Sequence, residues 1–251
     1  MSGIIDSGDK HYRHRIAIGT PTMGLIRVEW ARARYASQAR PVNWIETEIM
    51  PLGFVVDAAQ NVIVNEVIKG GFEWLLLIED DVILPPDALR KFGRYMESRQ
   101  YPIVSGLYFT KSADSDPLIF RGRGNGVVHD FEIGEPVWCD GVPTGCLLIH
   151  ASILQALWDK ADEYRVGKAD PPIMVRKVFR TVREAEMTHG GVQFSALQAT
   201  SDIMFCDDVM AGGYLDGWDL PHPEWPFLVD TSIFCQHIGK DGSMFPRVIE
   251  R

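Results

Sequence analysis

The stretch "WLLLIEDDVILPP", Trp74 to Pro86, decides how the chain is read. Its first five residues, Trp74 to Ile78, are an apolar run of strand length. Without polar alternation, such a run reads as a strand buried on both faces. Three carboxylates follow at once: Glu79, Asp80 and Asp81. Pro85-Pro86 then opens a helix, since proline is tolerated in a first helical turn. Buried strands seldom end in three bare negative charges, because like charges this close raise one another's pKa unless a cation intervenes. The question is what these carboxylates face.

Strand and helix alternate on either side of this stretch. "RIAIGT" (Arg15 to Thr20) is a β-rich run broken by Gly-Thr-Pro, and a helical stretch follows to about Gln38. Arginines at 27, 32, 34 and 40 mark a solvated helix flank, or else a contact to a diphosphate or acidic acceptor. "VNWIETEIM" (Val42 to Met50) is strand-like. Val55, Ala59, Ile63 and Val67 recur at helical spacing before Gly70-Gly71. Beyond Pro86, Leu89, Phe92 and Met96 share a helix face, and "YPIVSGLYF" (Tyr101 to Phe109) is a fourth strand. This alternation predicts a mostly parallel sheet with helices on both faces. Ligands bind such sheets beyond the carboxyl ends of the strands. Three segments deliver polar groups there: the loop after Gly19, the carboxylates after Ile78, and Thr110-Lys111.

The second half is less regular. Pro117 to Ile149 reads as antiparallel strands with glycine-rich turns, and "GRGNG" within it as a hairpin turn rather than a phosphate loop, since no helix-forming stretch follows. "HASILQALWDKADEY" (His150 to Tyr164) is helical. Residues 165–200 are polar and suit a flap over a site.

With 251 residues, 46% of them apolar, the chain has the size and composition of a soluble globular protein. A net charge of −9 argues against broad nucleic-acid binding, which needs clustered cations. Cys139, Cys146, Cys206 and Cys235 form no CxxC pair and read as small core residues in a reducing compartment. The N-terminal stretch lacks the apolar core of a signal peptide, and no apolar run approaches the roughly 18 residues of a membrane span. The expected location is cytoplasmic, or at most peripheral on a membrane.

Three constellations carry chemistry, each with two readings. The carboxylates Glu79 to Asp81 are solvated charges at a helix start, or they hold a hard divalent cation with substrate phosphates. In "TSDIMFCDDVMAGGY" (Thr200 to Tyr214), Asp202 is an N-cap, or a general base fixed at a helix start. Asp207 and Asp208, further along, read as a solvated face. In "FCQHIGKDG" (Phe234 to Gly242), His237 is a structural histidine, or a nitrogen ligand beside carboxylates on Mn²⁺ or Mg²⁺.

In this order the motifs "IAIGTPTMG", "LLLIEDDV", "TGCLLIHASIL", "SDIMFC…GGY" and "CQHIG" resemble nucleotide-sugar glycosyltransferases of the GT-A fold, particularly the family-2-like group. The resemblance covers about residues 14–240. It implies an α/β, Rossmann-like domain over 15–251 after a flexible segment 1–14, with a mostly parallel central sheet and a smaller antiparallel acceptor-side part. A nucleotide-binding half would span 15–111. An acceptor-binding half would span 112–251, with the flap at 165–200.

The implied activity is metal-dependent transfer of a sugar from a UDP- or GDP-type donor to a glycan, lipid or protein hydroxyl, with inversion. The resemblance makes Asp81 and His237 metal ligands, with Glu79 facing the metal or the donor ribose, and Asp202 the acceptor-activating base. Thr20, Pro21, Glu48, Asp80, Lys111 and Gly145 would contact substrate. Ser201 stands where the family has a glutamate, and the segment before "SDIMFC" is longer than typical. A sugar-phosphate nucleotidyltransferase is the competing enzyme reading, but the loop "GTPTMGLIR" lacks the glycine-rich, basic character it needs, and no GxxxxGK[ST] occurs. A non-catalytic carbohydrate-binding protein on the same fold is the third reading, with Trp138, Trp218 and Trp225 available to stack on sugars.

Overall fold

Trp74 to Ile78 do form a strand, and all five side chains are buried. The computed structural model describes residues 13–122, 126–168, 170–187 and 194–247. Of the N-terminal segment expected at 1–14, residues 1–12 lie outside the described ones, and His14 already begins the first strand.

In chain order the first half contains β1 (His14–Gly19), α1 (Val28–Ala31), β2 (Trp44–Ile49), α2 (Val56–Gly70), β3 (Trp74–Ile78), β4 (Val82–Ile83), α3 (Ala88–Ser98) and β5 (Ile103–Leu107). The second half adds β6 (Phe120–Arg121), β7 (Gly126–Val127), β8 (Pro136–Cys139), β9 (Cys146–His150), α4 (Ala151–Lys160), β10 (Glu163–Val166) and β11 (Ile173–Arg176). It ends with β12 (Val182–Met187), β13 (Phe194–Ala199), α5 (Ser201–Ala211), β14 (Phe227–Phe234), β15 (Gln236–Ile238) and β16 (Met244–Phe245).

Seven strands form the central sheet in the order β2-β1-β3-β9-β5-β14-β8. β2, β1, β3, β5 and β14 run one way, while β9 and β8 oppose them. The sheet is therefore mostly parallel by strand direction. Its interior strands are apolar on both faces, as helix-covered strands must be. Leu75 and Leu77 of β3 pack into one core with Ile63, Val64 and Val67 of α2 and with residues of α4 and α5. Trp74, Leu76 and Ile78 face the other core, which contains Trp30 of α1 and Leu89, Phe92 and Met96 of α3. The result is three layers, with helices on both faces. β1 has β2 on one side and β3 on the other, so chain order reverses there and a crevice opens beyond the carboxyl ends of β1 and β3.

Several local expectations are corrected. The helix expected to Gln38 is a single α-turn followed by a π-helical turn at Arg32–Ala36. Arg34, expected on a solvated flank, is 1% exposed, and its guanidinium donates to Glu46 and Glu48. Val55 is the N-cap of α2 and exposed, whereas Ala59, Ile63 and Val67 are buried as the spacing required. The helix expected over His150 to Tyr164 stops at Lys160, and β10 begins at Glu163. "GRGNG" lies in the β6–β7 hairpin connection, of which 123–125 are outside the described residues. Among the described residues of 165–200, β10–β11 and β12–β13 are antiparallel pairs, with 169 and 188–193 outside the described set. All four cysteines are free and buried, as expected.

At the far end of β9 from the crevice, His150 sits between two tryptophans. Its ring is 4.7 Å from that of Trp74 and 5.2 Å from that of Trp218. Burial pushes its pKa down from 6.5 to about 4. The native state therefore holds this ring neutral at pH values where the unfolded chain binds a proton. Its contribution is complete above 6.5 and is lost as pH falls toward about 4. We expect unfolding free energy to drop across this window by on the order of 2 kcal/mol more in wild type than in His150→Asn, which does not titrate and still caps α4. Urea denaturation at the two ends of the window measures the difference. Equal pH dependence in both proteins would disprove it.

Candidate functional site

Glu79 to Asp81 leave β3 in a tight turn fastened from several sides. The Glu79 N–H donates to the Gly145 carbonyl at 3.0 Å, and the Val82 N–H to the Glu79 carbonyl at 3.1 Å. The same Glu79 carbonyl accepts the Trp30 indole N–H at 2.8 Å. The Ile238 N–H donates to the Asp81 carbonyl at 2.7 Å. Beyond the turn, β4 pairs with β15 in a register that sets His237 opposite Val82. This two-residue strand pairing brings His237 to Asp81.

His237 Nδ1 donates to the Phe109 carbonyl at 2.8 Å, which fixes the ring and leaves Nε2 facing Asp81. Nε2 is 3.5 Å from Asp81 Oδ1, an oxygen that is buried without a hydrogen-bond partner. In the neutral ring, two electron pairs face each other across this gap. A proton on the ring or a divalent cation would relieve that opposition. The Lys111 ammonium donates to the other oxygen, Oδ2. Burial pushes the Asp81 pKa up, but His237 and Lys111 outweigh it and the net shift is downward. The donor set, one carboxylate and one imidazole backed by a carbonyl, is of the kind that fits Mn²⁺ or Mg²⁺. Among the described residues no group of three or more His, Cys, Asp or Glu gathers as a protein-only cage.

Glu79 is turned away from that pair. Its Oε1 accepts from Thr144 Oγ1 at 3.1 Å, and Thr144 Oγ1 accepts from Gln60 Nε2 at 2.9 Å. Gln60 and Thr144 are buried, so the chain Gln60–Thr144–Glu79 runs from the α2 core to the floor of the crevice. Burial, with the Asp81 charge adding to it, pushes the Glu79 pKa up to about 7. Asp80 is also raised by burial, which the Thr22 hydroxyl offsets only in part.

The three carboxylates and Thr144 open onto a cavity of about 450 Å³, lined also by the β1 loop (Pro21, Thr22, Met23) and by Thr200 to Asp202, while His237 and Lys111 lie outside its wall. Phe54, Val56 and Thr181 complete the wall. Segments distant in sequence, the acidic turn after β3 and the start of α5, thus meet around one space. Asp202 is not the N-cap: that position is Thr200, and Asp202 lies in the first turn of α5 with its Oδ1 accepting from the Ile203 N–H at 2.9 Å. Asp208, expected on a solvated face, pairs with Arg180 through two bonds of 2.8 and 3.0 Å.

Other expected site residues lie outside the cavity wall. Thr20 is fully buried beneath it, its hydroxyl without a partner. Glu48 is engaged by Arg34, and burial raises its pKa despite that partner. Gly145 contributes backbone: its N–H donates to the Tyr108 hydroxyl at 2.7 Å, and a Cβ there would come 2.4 Å from that oxygen. The tryptophans also have neighbours. Trp218 packs on His150, Trp138 on Tyr101, and Trp225 carries the Arg121 guanidinium 3.8 Å above its ring. Sequence reasoning missed Gln60, Thr22, Thr144 and Thr181. Thr144 stands in the motif that drew attention to Gly145, one residue off.

No protein-family model matches the sequence, and no curated protein does. Among solved structures, A197 from STIV aligns with a TM-score of 0.54 over 92% of this chain and 92% of that one, at 12% identity. The chain shares its fold with A197. TarS from S. aureus aligns with a TM-score of 0.35 at 9% identity, over 61% of this chain and 30% of that one, too slight a likeness to carry weight.

Thr144→Val keeps the shape but leaves Glu79 without its donor and the Gln60 amide without its acceptor. A buried polar group stripped of its partner costs about 1–3 kcal/mol. Urea denaturation should show a loss of that size in Thr144→Val and most of it restored in Thr144→Ser. Valine as stable as threonine would mean that the chain of bonds contributes nothing.

Proposed function

We propose that the protein is a glycosyltransferase of GT-A type that moves a sugar from a nucleoside-diphosphate donor to an acceptor hydroxyl. The observation that carries this reading is the cavity itself. It is lined by the acidic turn, whose Asp81 has the His237 imidazole 3.5 Å behind it, and by a separate helix-borne carboxylate, Asp202. The position beyond the carboxyl ends of β1 and β3, at the reversal of strand order, supports a nucleotide there.

In this reading Asp81 and His237 would hold Mn²⁺ or Mg²⁺, which would supply neutralisation of the diphosphate charge that grows as the leaving group departs. Lys111 lies against Asp81, so its ammonium would stand beside the metal-holding carboxylate and offer a positive charge to a donor phosphate. Glu79, held by Thr144, and Asp80, beside Thr22, face the donor's sugar and ribose hydroxyls. Asp202 accepts the acceptor's hydroxyl proton while that oxygen bonds to the anomeric carbon and the bond to the diphosphate breaks. Attack opposite the leaving group inverts the anomeric configuration. General-base assistance of this kind is worth about 10²–10⁴-fold in rate.

Thermal unfolding with UDP, GDP, dTDP and CDP, each with and without Mn²⁺, tests the donor side. One nucleotide should stabilise the protein only when metal is present, by about 2.7 kcal/mol at 100 times its dissociation constant. Failure of all four would count against the reading. With sugar nucleotides of the class so identified, Asp202→Asn should keep donor binding and lose about 10²–10⁴ in turnover. Wild-type turnover in that variant would refute Asp202 as the base.

A further inference from the structure

Between β11 and β12 the chain passes through Phe179, Arg180 and Thr181, and each of the three is tied to a helix. Asn61 of α2 holds the Phe179 backbone at both ends. The Phe179 N–H donates to Asn61 Oδ1 at 2.8 Å, and Asn61 Nδ2 donates to the Phe179 carbonyl at 2.8 Å. A side-chain amide here does what a strand neighbour would do, and it satisfies the backbone of a residue that is 1% exposed. The Phe179 ring stacks on Phe205 of α5, with centroids 4.7 Å and planes 19° apart. Arg180 donates to both carboxylate oxygens of Asp208, one turn further along α5, at 2.8 and 3.0 Å. The Thr181 N–H donates to Asp57 Oδ2, in the first turn of α2, at 3.3 Å.

The segment is thus a strap between two helices whose first turns both reach the cavity, α2 with Val56 and α5 with Ser201 and Asp202. No side-chain cap fixes the start of α5: its N-cap Thr200 makes no such bond, and Asp202 turns Oδ1 to the adjacent Ile203 N–H. Cys206 fastens the helix to Val142, whose N–H lies 3.4 Å from the sulfur. Phe205 and Asp208, three and six positions after Asp202, fasten it to the strap. A forked arginine–carboxylate pair fixes direction as well as distance. It therefore limits rotation of α5 about its axis, and that rotation decides where Asp202 points.

We propose that Arg180 is a positioning residue: its pair with Asp208 holds the first turn of α5 and so sets the direction in which Asp202 meets an acceptor hydroxyl. This role rests on the glycosyltransferase reading, in which Asp202 is the base. The anchoring of α5 does not depend on it. The two side chains are 41 and 30% exposed, so the pair can be removed without opening the core. A reacting group misplaced by about 1 Å can cost about 10²-fold in rate, so loss of the tether reaches turnover before it reaches folding.

Hydrogen exchange of the full chain tests the anchoring without any ligand. The Met204 N–H donates to the Thr200 carbonyl and begins the helical ladder of α5. In Arg180→Ala the amides of Met204, Phe205 and Cys206 should exchange about threefold faster or more, with those of β3 unchanged. Arg180→Lys, which keeps the charge and loses the fork, should fall between. Equal exchange in wild type and Arg180→Ala would overturn the proposal. Turnover is then read as release of nucleoside diphosphate from UDP-glucose, GDP-mannose, dTDP-glucose and CDP-glucose with Mn²⁺. Arg180→Ala should lower kcat by about tenfold or more and change the donor KM by less than about twofold. In an Asp202→Asn background the same substitution should cost less than about twofold, because a residue acting through Asp202 has nothing left to act through. An equal loss in both backgrounds would make Arg180 merely structural and overturn the proposal. Release from none of the four donors by wild type would remove the glycosyltransferase reading and leave the anchoring to be decided by exchange.

Discussion

Asp81 is shared between an ammonium and an imidazole, and the rest of the site is built around that sharing. Lys111 takes one carboxylate oxygen and His237 faces the other across 3.5 Å, with its second nitrogen tied to a backbone carbonyl. Without these partners, three adjacent carboxylates at the end of a fully buried strand would be costly, since each raises the pKa of the others. With them, Asp81 is held as an anion while its neighbour Glu79 is pushed toward the neutral form. Two residues apart, the carboxylates are driven in opposite directions by what each faces. Such divergence is characteristic of sites that handle charge.

The fold was readable where the physics is local or periodic. β3 shows itself because only a strand covered on both faces can be apolar at every position. α3 shows itself because Leu89, Phe92 and Met96 recur at helical spacing behind two prolines. The stretch after β1 was not readable in the same way. Its arginines carry no mark that separates Arg34, which is buried against Glu46 and Glu48, from Arg32, which is exposed. That difference arises only when β2 pairs with β1 and presents its glutamates to the π-helical turn.

The same limit applies to the site. The sequence gathers Glu79, Asp80 and Asp81 into one acidic motif and suggests that Glu79 and Asp81 act together. In space the turn separates them, and Glu79 goes to Thr144 and the buried Gln60 while Asp81 goes to His237. The approach of His237 depends on the pairing of β15 with β4, a strand too short to leave a pattern. Asp202 could be named as helix-borne from spacing. Its place on the same cavity wall as the acidic turn depends on tertiary packing, which brings the end of β3 and the start of α5 around one space.

The central claim is that Asp81 and His237 share a divalent cation with a nucleoside diphosphate. Titration of Mn²⁺ into the full chain, with each of UDP, GDP, dTDP and CDP and the free ion followed by electron paramagnetic resonance, tests it most directly. The account predicts saturable uptake with one of these nucleotides. The affinity should fall by at least about tenfold in both Asp81→Asn and His237→Gln. No uptake with any nucleotide, or uptake unchanged in both variants, would contradict it.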